Sequence, residues 1–252
     1  MKIAESTVVV FGGSSGLGAG TQELLHQLGA NVLVADLQPL AEDDRAGSEV
    51  SFIKTDVTDE DSVQAALKEA SERFGAVRAA IICAGIIHGE RIIGPNKRHN
   101  LDAFRRVIEV NLVGTFNVLR LAADAMQGNE PDDQGERGVI VMTASIVAFE
   151  GQIGQAAYSA SKAGVAALTL PAARELGQFG LRVVSIAPGV FETPMMQQVS
   201  EQYRSSLEAQ IPFPHRLGRP AEFAALVAHV LENSMFNGEV VRLDGGLRMS
   251  AQ

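Results

Sequence analysis

The sequence predicts one α/β domain, a mostly parallel seven-stranded sheet that is doubly wound with helices on both faces. Three observations predict it. Short aliphatic and β-branched runs recur along all 252 residues, each followed by a stretch of helical character. A glycine-rich turn, Gly12-Gly-Ser-Ser-Gly16-Leu-Gly18, directly follows the first run. No Ser/Pro-rich or charged linker, internal repeat or low-complexity tract divides the chain, so 1–252 reads as a single unit. Strands alternating with helices imply right-handed crossovers and therefore parallel neighbours.

Taken in order, Thr7 to Phe11 is a β-branched strand, and Ala19 to Leu28 is a helix that Gly29 ends. Asn31 to Asp36 is a second buried strand, and Ser51 to Thr55 is a third, ending at Asp56-Val57. Thr58 or Asp59 caps a helix that runs to about Phe74 and stops at Gly75. Ala79 to Cys83 is the fourth strand and leads into Ala84-Gly85. Residues 86–100 lack periodicity and carry Gly94 and Pro95, so a loop is expected, followed by one long helix from Leu101 to about Met126. Val139 to Met142 is a continuous apolar run of the kind buried in a parallel sheet. The alanine-rich segment from Gln155 to Leu170 has no proline and should be helical. Leu181 to Ile186 is a sixth strand ending in Ala187-Pro188-Gly189. Phe191 to Leu217 reads as a loose apolar stretch, before a helix from Pro220 to Leu231 and a last strand at Glu239 to Leu243.

The chemistry is carried by three sets of residues. At a strand-to-helix turn, Gly12, Gly16 and Gly18 let backbone amides approach a pyrophosphate, which the helix N-terminus stabilises. Ser14, Ser15 and Leu17 fill the same turn. Asp36 ends the second strand about twenty residues on, where a carboxylate accepts hydrogen bonds from ribose hydroxyls and repels a 2′-phosphate. Ser14, Ser15 and Leu37 offer no cation for such a phosphate, so NAD is the expected cofactor. Tyr158 and Lys162 are four residues apart on a helix and share a face. A neighbouring ammonium is expected to lower the phenol's pKa toward the physiological range. Ser145, just past the apolar run at Val139, falls at the carboxyl edge where open α/β sheets bind ligands.

Composition narrows the class. A net charge of −9 argues against nucleic acid or an anionic membrane as the main partner, and no apolar stretch reaches spanning length. The single cysteine, Cys83, fits a reducing compartment and reads as a small core residue. Because the first strand begins so close to Met1, we expect no leader segment and a cytoplasmic location. The five histidines (His26, His88, His99, His215 and His229) invite a serine-hydrolase reading, but no Gly-x-Ser-x-Gly elbow accompanies them. No two of them sit at recognisable ligand spacing with a carboxylate, so no metal site is expected.

Along essentially its whole length the chain resembles the short-chain dehydrogenase/reductase family, whose fold is of Rossmann type. The matching pieces are the Gly12–Gly18 turn, Asp56-Val57, Ala84-Gly85, Asn111, Ser145, Tyr158-x-x-x-Lys162 and Pro188-Gly189. Two positions depart from the pattern: Phe11 stands where threonine is usual, and Cys83 where asparagine is usual. Both changes are expected to bear on stability more than on chemistry. The resemblance implies catalytic roles for Ser145, Tyr158, Lys162 and Asn111, with Asn111 positioning a water that links Lys162 to solvent. It implies that Asp56, Val57, Ala84, Gly85, Tyr158, Lys162, Pro188, Gly189 and Thr193 join the glycine turn in holding NAD. It also implies a homotetramer, which the small residues around the Tyr158 helix would suit.

Within the family, the stretches Gln127–Gly138, Ala148–Tyr158, Ile211–Gly218 and Asn237–Met249 resemble the branch that interconverts 3-hydroxyacyl-CoA and 3-oxoacyl-CoA with NAD. That likeness implies an acyl-CoA substrate, with other secondary alcohols as further substrates. Gln155 and Met195 are expected at the substrate. Met195 and Met196 read either as core or as part of a lid after Pro188-Gly189, and a lid is expected. An acidic protein needs a local positive patch to hold a coenzyme A anion. Lys97 and Arg98 in the 86–100 loop are expected to supply it, the alternative being a solvated loop with scattered charge. Two rival functions remain: a 3-oxoacyl-carrier-protein reductase using NADPH, and a dinucleotide-binding scaffold without turnover.

Overall fold

The computed structural model describes residues 1–40, 50–95, 97–197 and 201–251. Seven strands form one sheet, all neighbours parallel: β1 (Thr7–Phe11), β2 (Asn31–Asp36), β3 (Ser51–Lys54), β4 (Val77–Ile82), β5 (Gly138–Thr143), β6 (Leu181–Pro188) and β7 (Val240–Leu243). Their spatial order is β3-β2-β1-β4-β5-β6-β7. The chain therefore winds outward in one direction to β3, returns beside β1, and winds in the other. That reversal opens a crevice between the carboxyl ends of β1 and β4.

Alternation of side chains along each strand splits the interior in two. Val8 and Val10 point to one face, where they meet Leu25 of α1 (Gly16–Gln27) and Phe223, Val227 and Leu231 of α8 (Pro220–Glu232). Val9 and Phe11 point to the other. There they join Val63 and Leu67 of α2 (Glu60–Phe74), Val118 and Met126 of α4 (Gly114–Met126), and Val165 of α5 (Ala156–Leu176). Asp59 caps α2 as expected, accepting hydrogen bonds from the backbone N–H groups of Asp61 and Ser62.

Two expectations need correction. The long helix predicted from Leu101 is not uniform: α3 (Leu101–Ile108) passes into one π turn at Glu109–Val113 before α4. Asn111 is on that turn and is wholly buried. The stretch 191–217 is more regular than its weak periodicity suggested, holding α6 (Pro194–Gln197) and α7 (Glu201–Gln210). Its anchors are few, chiefly buried Phe191, Leu207, Ile211 and Leu217. No helix among the described residues is long and apolar enough to cross a membrane.

Candidate active site

The glycine turn joins β1 to α1 at the crevice. Gly12 has φ +78°, and a Cβ there would come within 2.4 Å of the Ala84 nitrogen. A Cβ at Gly18 would meet the Gly12 carbonyl oxygen at 2.0 Å. Only glycines let β1, the turn, the start of α1 and the end of β4 converge this closely. Asp36, at the end of β2, accepts from the Ser14 amide at 3.0 Å and from the Gln38 amide at 3.1 Å. The carboxylate is thus fixed beside the turn. Leu37 is exposed there, and Ser15 is the N-cap of α1 in extended conformation. The turn's free space, its amides and its carboxylate fit the adenosine half of a dinucleotide. Thr193 borders it, since a Cβ on Gly16 would lie 3.3 Å from the Thr193 methyl group. Asp56 accepts from the amide and hydroxyl of Thr58, and Val57 is buried, its carbonyl held by Asn117 at 2.9 Å. Pro188 ends β6, and Gly189 donates to the Leu243 carbonyl at 2.9 Å.

Ser145 lies two residues beyond β5 and caps a short 3₁₀ turn, Ile146–Ala148; it is buried. Tyr158 is the third residue of α5. The two meet: a hydrogen bond with Ser145 pulls the Tyr158 pKa down, while burial, the larger influence, raises it above the usual phenol value. Lys162 is on the same helix face, but burial and Ser145, not its ammonium, set the direction of the Tyr158 shift. The ammonium lies 5.8 Å from the centre of the Tyr158 ring and donates to the Thr143 carbonyl at 2.7 Å. Burial lowers the Lys162 pKa to about 8. The expectation that Lys162 pulls the phenol down is therefore corrected. Four-residue spacing fixes a shared face, whereas the direction of a long side chain follows the acceptors within reach, here Thr143.

Asn111 reaches the start of the 86–100 loop. Its side-chain carbonyl accepts from the Ile86 amide at 2.8 Å, and its NH₂ donates to the Ile86 carbonyl at 2.8 Å and the Ser161 hydroxyl at 3.1 Å. The amide thus positions Ile86 rather than pointing at Lys162. Gly85 lies between the two: a Cβ there would be 3.2 Å from the Asn111 oxygen and 3.5 Å from the Lys162 nitrogen. Ala84 donates from its amide to the Phe11 carbonyl at 3.0 Å, tying β4 to the glycine turn. Cys83 is closer to the chemistry than expected. Thr143 donates to its sulfur at 3.6 Å, and the Lys162 ammonium favours its thiolate form. Burial raises its thiol to about 11, so it stays neutral. Phe11, by contrast, is wholly in the core. Thr143, Cys83 and Ser161 were not expected in this cluster, and the only sequence signal for the first two is that each ends or follows a central strand.

The remaining expected residues are more scattered. Gln155 precedes α5, its NH₂ on Gln152 at 3.0 Å and its carbonyl oxygen buried without a partner among the described residues. The side chain of Met195 lies outside the described residues. Lys97 is highly exposed, but its ammonium is 2.6 Å from Glu90; Arg98 is exposed. A cleft of about 720 Å³ runs along α1 past Gly16, His26, Thr193 and Arg204; Tyr158 does not line it. One cluster of side chains lies outside the expected site residues. An antiparallel bridge pairs Ile93 with Arg98, and His88, Glu90 and His99 come together. Sequence spacing concealed this because the two histidines are eleven residues apart on an irregular loop.

A dinucleotide cradle beside a serine, tyrosine and lysine set defines a nicotinamide-dinucleotide oxidoreductase acting on a small molecule. The short chain dehydrogenase family profile matches residues 6–204, and the chain belongs to that family. It is 51% identical to the 3-hydroxyacyl-CoA dehydrogenase type-2 of Bos taurus, covering 96% of this chain and 94% of that one. It is 50% identical to the protein of the same name from Drosophila melanogaster, over 98% and 99% of the two chains. The crystal structure of 3-hydroxyacyl-CoA dehydrogenase type-2 from Mycobacterium avium superposes with TM-score 0.92 at 42% identity, covering all of both chains. The chain is thus a dehydrogenase of the short-chain family.

Proposed function

We propose that this dehydrogenase interconverts 3-hydroxyacyl-CoA and 3-oxoacyl-CoA with NAD, other secondary alcohols being further substrates. The observation that carries the proposal is the meeting of Ser145, Tyr158 and Lys162 at the carboxyl edge of the sheet, beside a turn guarded by Asp36. The names of relatives at 50–51% identity support the acyl-CoA class. When bound, the nicotinamide supplies the hydride chemistry. The protein handles the proton. Tyr158 is the acid/base, Ser145 holds the reacting oxygen, and Lys162 stands behind the ring as a charge whose own proton is loosely held. With burial keeping the phenol protonated near neutral pH, Tyr158 is ready to donate to a 3-oxo group. The oxidative direction needs that proton removed first, and gains as pH rises.

Asp36 favours NAD because its carboxylate would face a 2′-phosphate. We place Asp56, Val57, Ala84, Gly85, Pro188, Gly189 and Thr193 around the cofactor and Gln155, Met195, Lys97 and Arg98 toward the thioester. Asn111 is a positioning residue for the loop start. Exposed apolar side chains on two helices, Phe116 on α4 and Leu170 on α5, support a homotetramer, and the free cysteine Cys83 suits a reducing, cytoplasmic setting.

The test is the change in nicotinamide absorbance with acetoacetyl-CoA. Turnover with NADH well above NADPH is expected. A preference for NADPH would favour an acyl-carrier-protein reductase, and binding of NADH without turnover of any hydroxyacyl or oxoacyl substrate would leave a scaffold.

A further inference from the structure

We propose that His88, Glu90 and His99 form a site for zinc or a similar borderline divalent cation, which clamps the two ends of the 86–100 loop. The three residues each offer a ligand atom, all within 4.8 Å of one another. His88 Nε2 is 3.2 Å from Glu90 Oε2, and His99 Nδ1 is 3.6 Å from the same oxygen. Tetrahedral zinc with bonds of about 2.0–2.1 Å holds its ligand atoms roughly 3.3 Å apart. The His88–Glu90 separation is thus already near that value; His99 donates from Nδ1 to the Asn100 carbonyl at 2.8 Å, so it would ligate through Nε2 after a ring rotation.

The cluster is built rather than incidental. The side chains of Glu90 and His99 are 8% and 11% exposed, and only His88 is open to solvent. The His99 Nε2 atom is buried with no hydrogen-bond partner among the described residues, a lone pair or proton that a ring rotation would present to a ligand. The backbone fixes the frame: Glu90 donates from its amide to the Gly154 carbonyl at 2.8 Å, and His99 from its amide to Ile92 at 3.0 Å. Glu90 is in turn held by the Asn100 amide at 2.9 Å and the Lys97 ammonium at 2.6 Å, the kind of outer support that orients a ligating carboxylate.

Two imidazoles and one carboxylate suit zinc, nickel or cobalt, whereas magnesium and calcium prefer all-oxygen shells. Three protein ligands leave a fourth position open. The position in the fold gives the site its consequence. His88 and Glu90 follow the Ala84-Gly85 turn, His99 precedes the Asn100 cap of α3, and Glu90 is bonded to Gly154, four residues before Tyr158. A bound ion would cross-link both ends of the loop and seat it against the approach to α5. This inference does not depend on the substrate proposed above.

The test uses the full chain, stripped with chelator, dialysed and titrated with zinc in a calorimeter, with magnesium as the comparison ion. One zinc per chain at micromolar affinity is expected, with no response to magnesium. Cobalt should give the visible absorption of a four-coordinate site. His88→Ala, at an exposed position, should abolish the stoichiometric binding while leaving the melting temperature unchanged, and Glu90→Gln should weaken binding tenfold or more. Limited proteolysis within 86–100 should slow on zinc addition in the wild type only. The inference is overturned if no stoichiometric binding occurs, or if His88→Ala and His99→Gln both bind zinc as the wild type does.

Discussion

Gly18→Ala adds one methyl group where the turn has least room. The new Cβ would lie 2.0 Å from the Gly12 oxygen, 2.8 Å from the Gly12 carbonyl carbon and 2.9 Å from the Gly13 Cα. All three are backbone atoms. Gly12 cannot retreat, because its amide is bonded to Ala35 at 2.8 Å and it abuts Ala84. Carbon–oxygen contacts relax only near 3.3–3.6 Å, so the turn must open by about 1 Å or more. Overpacking of this kind costs about 1–3 kcal/mol. In a chain of this size that lowers Tm by roughly 2–12 °C, at about 2–4 °C per kcal/mol. Misplacing a binding element by about 1 Å can cost on the order of a hundredfold in function. Gly16→Ala is the internal control. Its φ of +54° carries a left-handed penalty of about 1–2 kcal/mol, but its nearest neighbour is a movable Thr193 methyl at 3.3 Å. We expect NADH affinity, followed by fluorescence titration alongside thermal melts, to fall at least tenfold in Gly18→Ala and several-fold less in Gly16→Ala. NADH affinity within twofold of wild type in Gly18→Ala would refute the reasoning.

Tyr158→Phe should lower turnover by about 10²–10⁴-fold while leaving NADH affinity nearly intact; retention of more than about a hundredth of the activity would remove Tyr158 as the acid/base. Lys162→Met should change how stability depends on pH. The folded lysine titrates near 8 and an unfolded one near 10.4, so between those values the unfolded chain binds more protons and wild-type stability rises with pH. In denaturant melts the wild type should gain on the variant from pH 8 to pH 10, and a constant difference would contradict the assigned burial. Replacing Lys97 and Arg98 with glutamate should raise KM for acyl-CoA several-fold at low salt, with relief as ionic strength grows. Since Lys97 is already paired with Glu90, Arg98→Glu alone should account for most of the effect; equal losses with a small uncharged alcohol would point to loop folding instead.

Much of this molecule is written locally. β1 and β2 begin and end at the expected residues because runs such as Thr7–Phe11 and Asn31–Asp36 are β-branched or aliphatic throughout, a pattern that suits a strand covered on both faces. Asp59 and Gly75 mark the ends of α2 for equally local reasons, a side-chain cap and a positive φ. The glycine turn, Asp36, Ser145 and the Tyr158–Lys162 face were legible because each occupies a strand end or a helix repeat. Tertiary structure alone decided the rest. The π turn at Asn111 leaves no compositional trace, since it is a change of hydrogen-bond register that lets the side chain reach Ile86. The direction of Lys162 depends on where the Thr143 carbonyl lies, nineteen residues away in sequence. Helix α7 is largely polar and is held by a few long-range contacts through residues such as Leu207. The meeting of His88, Glu90 and His99 depends on how an aperiodic loop folds back, which no local spacing encodes. Backbone propensity and periodicity act over a few residues, whereas a side chain's partner is chosen by what the assembled sheet brings within about 3 Å of it.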